Sequence, residues 1–220
     1  MTNTPLKTDA RAAAAEFLGT FIFMFCGIGA IGVNDGSGGV IGHVGISLCF
    51  GIGIMVMIYT YGPVSAAHFN PAVSLTMLLL KEISVRRFLF YLPAQFAGAA
   101  LACLAVGLIL GEGVDPGGTR PTIPVAAAVC LEIILTLVLL IVILPIATSA
   151  DRFAISGLAI GATIAMASTF GGPLTGASMN PARSFGPALA SGQWSFLYIY
   201  FAGPLIASLL ATAYWKLMRA

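Results

Sequence analysis

Two six-residue stretches decide how this chain folds: residues 68–73 read His-Phe-Asn-Pro-Ala-Val, and residues 178–183 read Ser-Met-Asn-Pro-Ala-Arg. Asn is a favoured N-cap, because its side-chain oxygen accepts a backbone N–H of the first helical turn. Pro is favoured at the first helical position, where its missing N–H costs nothing. Each Asn-Pro-Ala triplet, Asn70-Pro71-Ala72 and Asn180-Pro181-Ala182, therefore predicts the start of a helix.

The apolar segments that begin there are short, Pro71–Leu80 and Pro181–Ala190. Ten helical residues cover about 15 Å, which is half of the roughly 30 Å hydrocarbon layer of a membrane. One interpretation is two well-capped helices in ordinary loops. The other is a pair of re-entrant half-helices, which a membrane tolerates only where protein buries their broken backbone.

The composition of the chain favours the membrane. Of its 220 residues 59% are hydrophobic and only 8% are charged, and the mean hydropathy is +1.00. Soluble domains carry about 25% charged residues. This composition excludes a disordered chain, a disulfide-stapled secreted domain and an ordinary cytosolic enzyme, and a net charge of +2 gives no reason to expect a nucleic-acid partner.

Six other stretches are long and apolar enough to span a bilayer as helices, which takes about 20 residues. They cover about 12–33, 41–62, 86–110, 123–146, 153–172 and 195–217. They contain too many helix formers and too little alternation to be strands of a barrel. The predicted fold is an all-α membrane protein with six transmembrane helices and two re-entrant half-helices.

The two halves of the chain repeat each other. Glu16-Phe-Leu-Gly-Thr20 resembles Glu132-Ile-Ile-Leu-Thr136, and each Glu precedes its Asn-Pro-Ala triplet by a similar distance. Three spans per half make the halves enter the membrane in opposite directions. The prediction is a single transmembrane domain, 1–220, in which repeat one covers about 11–110 and repeat two about 122–217. Inverted repeats of this kind place the working site at the midplane.

The basic residues predict the orientation, because cytoplasmic loops are rich in Lys and Arg. With six spans, one side carries Lys7, Arg11, Lys81, Arg86, Arg87, Arg152, Lys216 and Arg219. The other side carries Asp35, Glu112, Asp115 and Arg120. Both termini are therefore expected in the cytoplasm.

Three ionisable residues lie inside the apolar regions, where a charge is costly and by default functional. Arg183 lies in the second short segment, and we expect it to line the working site. Glu16 and Glu132 have two interpretations. They relay protons, as in a coupled carrier, or they accept N–H bonds from the two re-entrant loops, and their symmetric placement favours the second.

The other polar and sulfur-containing residues show no spacing typical of a catalytic or metal site. Cys26, Cys49, Cys103 and Cys130 lie within apolar spans without paired spacing, and we interpret them as small core residues. His43 is interpreted as an interfacial residue at the end of the second span. No nucleophile–base pair, metal cluster or phosphate loop is present in the sequence, so we expect no enzyme, no cofactor and no metal.

The motifs together resemble the aquaporin, or major intrinsic protein, family. The resemblance rests on both Asn-Pro-Ala triplets, both Glu-x-x-x-Thr motifs, Gln95 with Gly98, Arg183, and Gly203-Pro204, and it covers the chain beyond its first ten residues. It implies a pore through each subunit, usually of a homotetramer in a lipid bilayer. It also implies passive passage of water or small uncharged solutes with exclusion of protons and ions.

The resemblance further implies which residues line the pore. Backbone carbonyls of Ala66, Ala67, His68, Gly176, Ala177 and Ser178 would form a ladder of acceptors, and Phe50, Ser168, Ala177 and Arg183 would form the selectivity filter. Glu16 and Glu132 would support the loops. Two departures from the family pattern are Pro63, where His is usual, and Ala66, where Gly is usual.

The filter residues bear on the solute. Strict water channels of the family commonly have His where Ser168 stands, whereas glycerol facilitators usually have Trp in place of Phe50 and Asp in place of Ser184. Residues 176–184 look like the plant nodulin-like intrinsic proteins and their bacterial relatives. We expect a water channel of a bacterial inner membrane that also admits glycerol, boric acid or similar solutes. The alternatives are a channel primarily for neutral solutes or metalloid hydroxides, a coupled carrier, and a structural membrane protein.

Overall fold

The computed structural model describes residues 5–111, 117–147 and 153–219, and the side chains from Thr8 onward. These residues form eight helices: α1 Pro5–Gly36, α2 Gly42–Ser65, α3 Pro71–Leu79, α4 Val85–Leu110, α5 Val125–Ala147, α6 Phe153–Thr175, α7 Pro181–Ser191 and α8 Leu197–Arg219. Glu112, Asp115 and Arg152, which entered the prediction of orientation, lie outside the described residues, as does the side chain of Lys7.

Six of these helices are long and apolar enough to cross a membrane, which confirms the predicted spans. All but the first begin and end within three residues of the predicted stretches. Helix α1 begins seven residues early, at Pro5. Its first turns continue past the apolar stretch because Asp9, which is 6% exposed, pairs with Arg86 and Arg87 at the start of α4, at 3.2 and 3.1 Å.

Large apolar side chains cover the outside of the helix bundle, as a lipid-facing surface requires. Leu108 on α4 is 87% exposed and Leu158 on α6 is 60% exposed. The prediction that all four cysteines are core residues was wrong for two of them. Cys26 and Cys130 are exposed, Cys49 is half-buried and only Cys103 is buried. Lipid tails are as apolar as a protein core, so composition alone does not tell a core position from a lipid-facing one.

The helix packing repeats the symmetry of the sequence. Helix α1 packs on α2 and α4, and its counterpart α5 packs on α6 and α8. The two halves meet where α2 crosses α6, at Gly51 and Gly161. A Cβ at either glycine would lie 2.5 Å from the carbonyl oxygen of the other. Only glycine permits this approach, so the two helices pack closely at this crossing.

The two half-helices interlock the repeats. Helix α3 has nine residues and packs on α8 of the second half, whereas α7 has eleven residues and packs on α4 of the first. Together they cover about 30 Å, at about 1.5 Å per residue. This architecture confirms the predicted fold of six spans, two half-helices and an inverted repeat.

Candidate functional site

The two Asn-Pro-Ala triplets begin α3 and α7 and meet in the interior. The side-chain oxygen of Asn70 accepts the N–H of Ala72 at 2.9 Å, and that of Asn180 accepts the N–H of Ala182 at 3.0 Å. Each Asn has extended backbone and a Pro at the next position, the arrangement of a capped helix start. The two helices therefore point their N-termini at one another.

The two Asn amide groups also bind the opposite loop. The NH₂ of Asn70 donates to the carbonyl of Met179 at 2.8 Å, and the NH₂ of Asn180 donates to the carbonyl of Phe69 at 2.9 Å. Each of these bonds uses one hydrogen of the Asn amide group. An amide nitrogen carries two hydrogens, and one remains for the cavity that both Asn residues line.

Glu16 holds the first re-entrant loop. Its carboxylate accepts the N–H of His68 at 2.9 Å and of Phe69 at 2.6 Å. It also accepts the hydroxyl of Ser65 at 2.7 Å and the amide of Gln95 at 2.8 Å. Four donors occupy a carboxylate that is fully buried. Such bonds replace the water that a buried backbone lacks.

Glu132 holds the second loop in the same way. It accepts the N–H of Ser178 and of Met179, each at 2.9 Å, and the hydroxyl of Thr175 at 2.7 Å. Its side chain is also fully buried. The two carboxylates thus have the same kind of partner in both repeats.

The residues that complete these loop supports were not predicted from the sequence. The Tyr91 hydroxyl donates to the carbonyl of Ser65, and the Tyr200 hydroxyl donates to the carbonyl of Thr175, both at 2.6 Å. Ser65 and Thr175 each lie five residues before an Asn of the triplets. Comparison of the two halves position by position would have found Ser65 and Thr175. It would not have found both tyrosines, because Tyr91 lies seven residues before Gly98, whereas Tyr200 lies three residues before its counterpart Gly203.

The backbone of both loops passes through the left-handed region. Ala66, Ala67 and Ala177 have positive φ angles of 66, 53 and 41°. Within the described chain no protein group donates to the carbonyls of six residues that line the cavity, namely Ala66, Ala67, His68, Gly176, Ala177 and Ser178. The predicted ladder residues are therefore unpaired acceptors on the cavity wall.

The cavity is continuous and has a volume of about 920 Å³. At one end, which we call the Glu82 mouth, its wall includes Glu82, Ala147 and Arg219. At the other, the His43 mouth, its wall includes His43, Gly117, Gly118 and Gly172. Asn70 and Asn180 line it between these ends, so the cavity runs through the whole bundle.

The four predicted filter residues, Phe50, Ser168, Ala177 and Arg183, line this same cavity. Arg183 is 6% exposed, and the central carbon of its guanidinium lies 4.9 Å from the centre of the Phe50 ring. Its Nη1 donates to the carbonyl of Gly117 at 2.7 Å. Gly117, in the connection between the two halves, was not predicted as part of the site.

Comparison with known proteins places this arrangement in context. The chain matches the family described as Major intrinsic protein over residues 4–215. It is 38% identical over 214 residues to Aquaporin NIP1-3 of Oryza sativa, covering 96% of this chain and 74% of that one. It is 40% identical over 209 residues to Aquaporin NIP1-1 of Zea mays, covering 93% and 73%.

The fold also matches a solved structure. The X-ray structure of the aquaglyceroporin from Plasmodium falciparum superposes with a TM-score of 0.85 at 23% sequence identity, covering 94% of this chain and 95% of that one. Putative aquaporin NIP4-1 of Arabidopsis thaliana is a further similar sequence, 39% identical over 209 residues, covering 93% of this chain and 73% of that one. The sequence relatives named here are plant proteins, and they give no support to the expected bacterial source.

Proposed function

The chain belongs to the major intrinsic protein family, and from that premise we propose that it is a passive transmembrane channel for water and small uncharged solutes that excludes protons and ions. One observation carries the proposal. A single cavity runs from the Glu82 mouth to the His43 mouth, and two helix N-termini face it at Asn70 and Asn180.

The two helix N-termini supply the charge exclusion. Each carries roughly half a positive charge. Two of them about 4 Å from a cation, at an effective dielectric of about 20, raise its energy by roughly 4 kcal/mol, or about a thousandfold in occupancy. Arg183 adds a full positive charge on the same wall. A neutral molecule meets almost no such barrier.

Polar groups on the cavity wall replace the hydrogen bonds to bulk water that a water molecule loses when it enters. The free N–H of Asn70 and of Asn180 would donate to its oxygen, and the carbonyls of the two loops would accept its hydrogens. Glu16 and Glu132 would take no part in transport, because the donors of the loops already occupy them. This arrangement favours a channel over a proton-coupled carrier.

The neck between Phe50, Ser168, Ala177 and Arg183 would select among neutral solutes. Ser168 and Ala177 are small, so one side of the neck is open. This favours glycerol, boric acid or similar hydroxides as permeants beside water. The same observation supports the second candidate function, a channel primarily for such solutes with water as a secondary permeant.

We further propose that the channel lies in the cell membrane as a homotetramer with both termini in the cytoplasm. The excess of Lys and Arg on the side of the termini supports the orientation, and membership of the family supports the tetramer. A monomeric mass in mild detergent would contradict the tetramer. Protection of a C-terminal tag from protease in intact cells would be expected, and its cleavage would contradict the orientation.

The decisive experiment is stopped-flow light scattering on proteoliposomes, comparing osmotic shrinking with re-swelling in a glycerol gradient. Water flux well above that of empty liposomes is expected, without dissipation of a pH gradient. Ala177→Trp should fill the neck and abolish the flux, whereas Leu108→Trp on the lipid-facing surface should leave it unchanged. Re-swelling as fast as shrinking would favour the second candidate function, and flux of neither would contradict both.

A further inference from the structure

His43 lies on the wall of the cavity at the His43 mouth, seven residues before Phe50 on α2. Seven helical residues rise about 10 Å, so His43 lies two turns from the filter. Its ring covers Gly172, one turn beyond Ser168 on α6. A Cβ at Gly172 would lie 2.5 Å from Cε1 of this ring.

The imidazole has one hydrogen-bond partner, the carbonyl of Thr169, at 2.9 Å from Nε2. In an α-helix that carbonyl would accept the N–H of residue 173, but residue 173 is proline and has none. A carbonyl is only an acceptor, so Nε2 must carry the proton. Within the described chain Nδ1 has no partner, and in the neutral ring it is an acceptor.

The inverted repeat also places a ring over a glycine at the Glu82 mouth, but there the ring is a phenyl group. Pro63 and Gly62 of α2 correspond to Pro173 and Gly172 of α6. Phe153 lies over Gly62, where a Cβ would be 2.6 Å from its Cε2. A phenyl ring therefore fills this position adequately, and packing alone does not require an imidazole at residue 43.

We infer that His43 is a further specificity-determining residue, which offers its Nδ1 as an acceptor to hydroxylated neutral solutes before they enter the filter. The inference rests on the proposed function. A polyol sheds several hydration partners at the neck, whereas a water molecule in single file sheds fewer. An acceptor two turns before the filter replaces one of these hydration partners.

Few other charged groups of the described residues lie on this side of the bundle. Helix α6 carries no titratable residue. Of the described residues on this side, Asp35 ends α1, Arg120 lies in the connection between the halves, and Arg183 lies on α7. Arg183 and Arg120 keep their charge at any working pH. His68 also lines the cavity, but it lies beyond the filter and its Nδ1 is 3.0 Å from the hydroxyl of Ser74.

The test measures glycerol and water permeability of proteoliposomes at equal protein content. His43→Phe should lower glycerol permeability about fivefold, the size of one neutral hydrogen bond, with water nearly unchanged. His43→Gln, which keeps a donor and an acceptor, should retain the wild-type ratio of glycerol to water permeability.

Phe153→His is the matched control. It places an imidazole at the Glu82 mouth, fifteen residues before Ser168 on α6, and should not alter the ratio. Equal loss of glycerol and water permeability in His43→Phe, a low ratio in His43→Gln, or water flux without any glycerol flux would overturn the inference. Wild-type water flux no higher than that of empty liposomes would instead overturn the proposed function.

Discussion

Ala66 holds a backbone conformation that favours glycine. It follows the last residue of α2 with φ 66° and donates its N–H to the carbonyl of Gly62 at 2.9 Å. The left-handed conformation costs a residue with a Cβ roughly 1–2 kcal/mol. The chain tolerates alanine because the partners of Glu16 fix the following residues of the loop.

Ala66→Gly should therefore stabilise the protein. Removal of the Cβ relieves the strain, and after the greater freedom of glycine in the unfolded chain is subtracted we expect a gain of about 1 kcal/mol in the free energy of unfolding. Denaturation of the protein in detergent micelles would measure it. Ala105→Gly, inside α4, should lose about 1 kcal/mol. A loss of stability in both variants would refute the strain at residue 66.

Ser168 leaves the neck of the cavity open on one side. Ser168→His should narrow the neck and lower glycerol permeability by about tenfold or more, corresponding to roughly 1.4 kcal/mol of added barrier. Water permeability should fall far less, because water is smaller. The measurement is the pair of permeabilities in proteoliposomes at equal protein content, with Ser168→Ala as the control of unchanged width. Equal losses for both permeants would show that Ser168 is not a filter residue.

At the scale of elements, the crossing of α2 with α6 depends on two glycines. Gly51 and Gly161 face each other's carbonyl oxygens, and backbone cannot move aside as a flexible side chain can. The crossing positions Phe50 on one helix and Ser168 on the other along the same cavity. Separation of the helices would therefore disturb the filter as well as the core.

Gly51→Leu should destabilise the fold by roughly 3 kcal/mol or more, at or above the usual cost of overpacking. The yield of folded protein in detergent and its midpoint of thermal unfolding would both fall. Gly107→Leu, on the exposed side of α4 where a Cβ meets no atom within 4 Å, should fold like the wild type. Normal folding of Gly51→Leu would contradict the tight crossing.

At the scale of the whole molecule, the cavity wall contains no cysteine, and all four cysteines lie in described residues. Thiolates are the groups that bind soft metal ions such as mercury. We expect mercuric chloride to leave water flux through the wild-type channel unchanged. Ser168→Cys, which places a thiol in the neck, should make the flux sensitive to the reagent and recoverable with excess thiol. Block of the wild type at low mercury concentration would mean that Cys26, Cys49, Cys103 or Cys130 controls the pore.

Local features of the chain determined most of the fold. Apolar stretches of sufficient length predicted the six spans, and Asn before Pro predicted where α3 and α7 begin. These features act within a few residues, through hydropathy and capping. The repeated motifs also predicted that the halves are inverted, since an odd number of spans permits no other arrangement. The extra turns of α1 were missed because they depend on the pairing of Asp9 with Arg86 and Arg87, which are distant in the sequence. The lipid-facing cysteines were missed because composition does not distinguish two apolar environments.

The tertiary structure alone decided how distant groups meet. The amide of Asn70 binds the carbonyl of Met179, Arg183 binds the carbonyl of Gly117, and His43 binds the carbonyl of Thr169. Each of these bonds joins residues at least 66 positions apart. A backbone carbonyl has the same chemistry at every position, so no residue type marks which one will accept. Only the packing of the two repeats around Gly51 and Gly161 selects those carbonyls, and with them the shape and polarity of the pore.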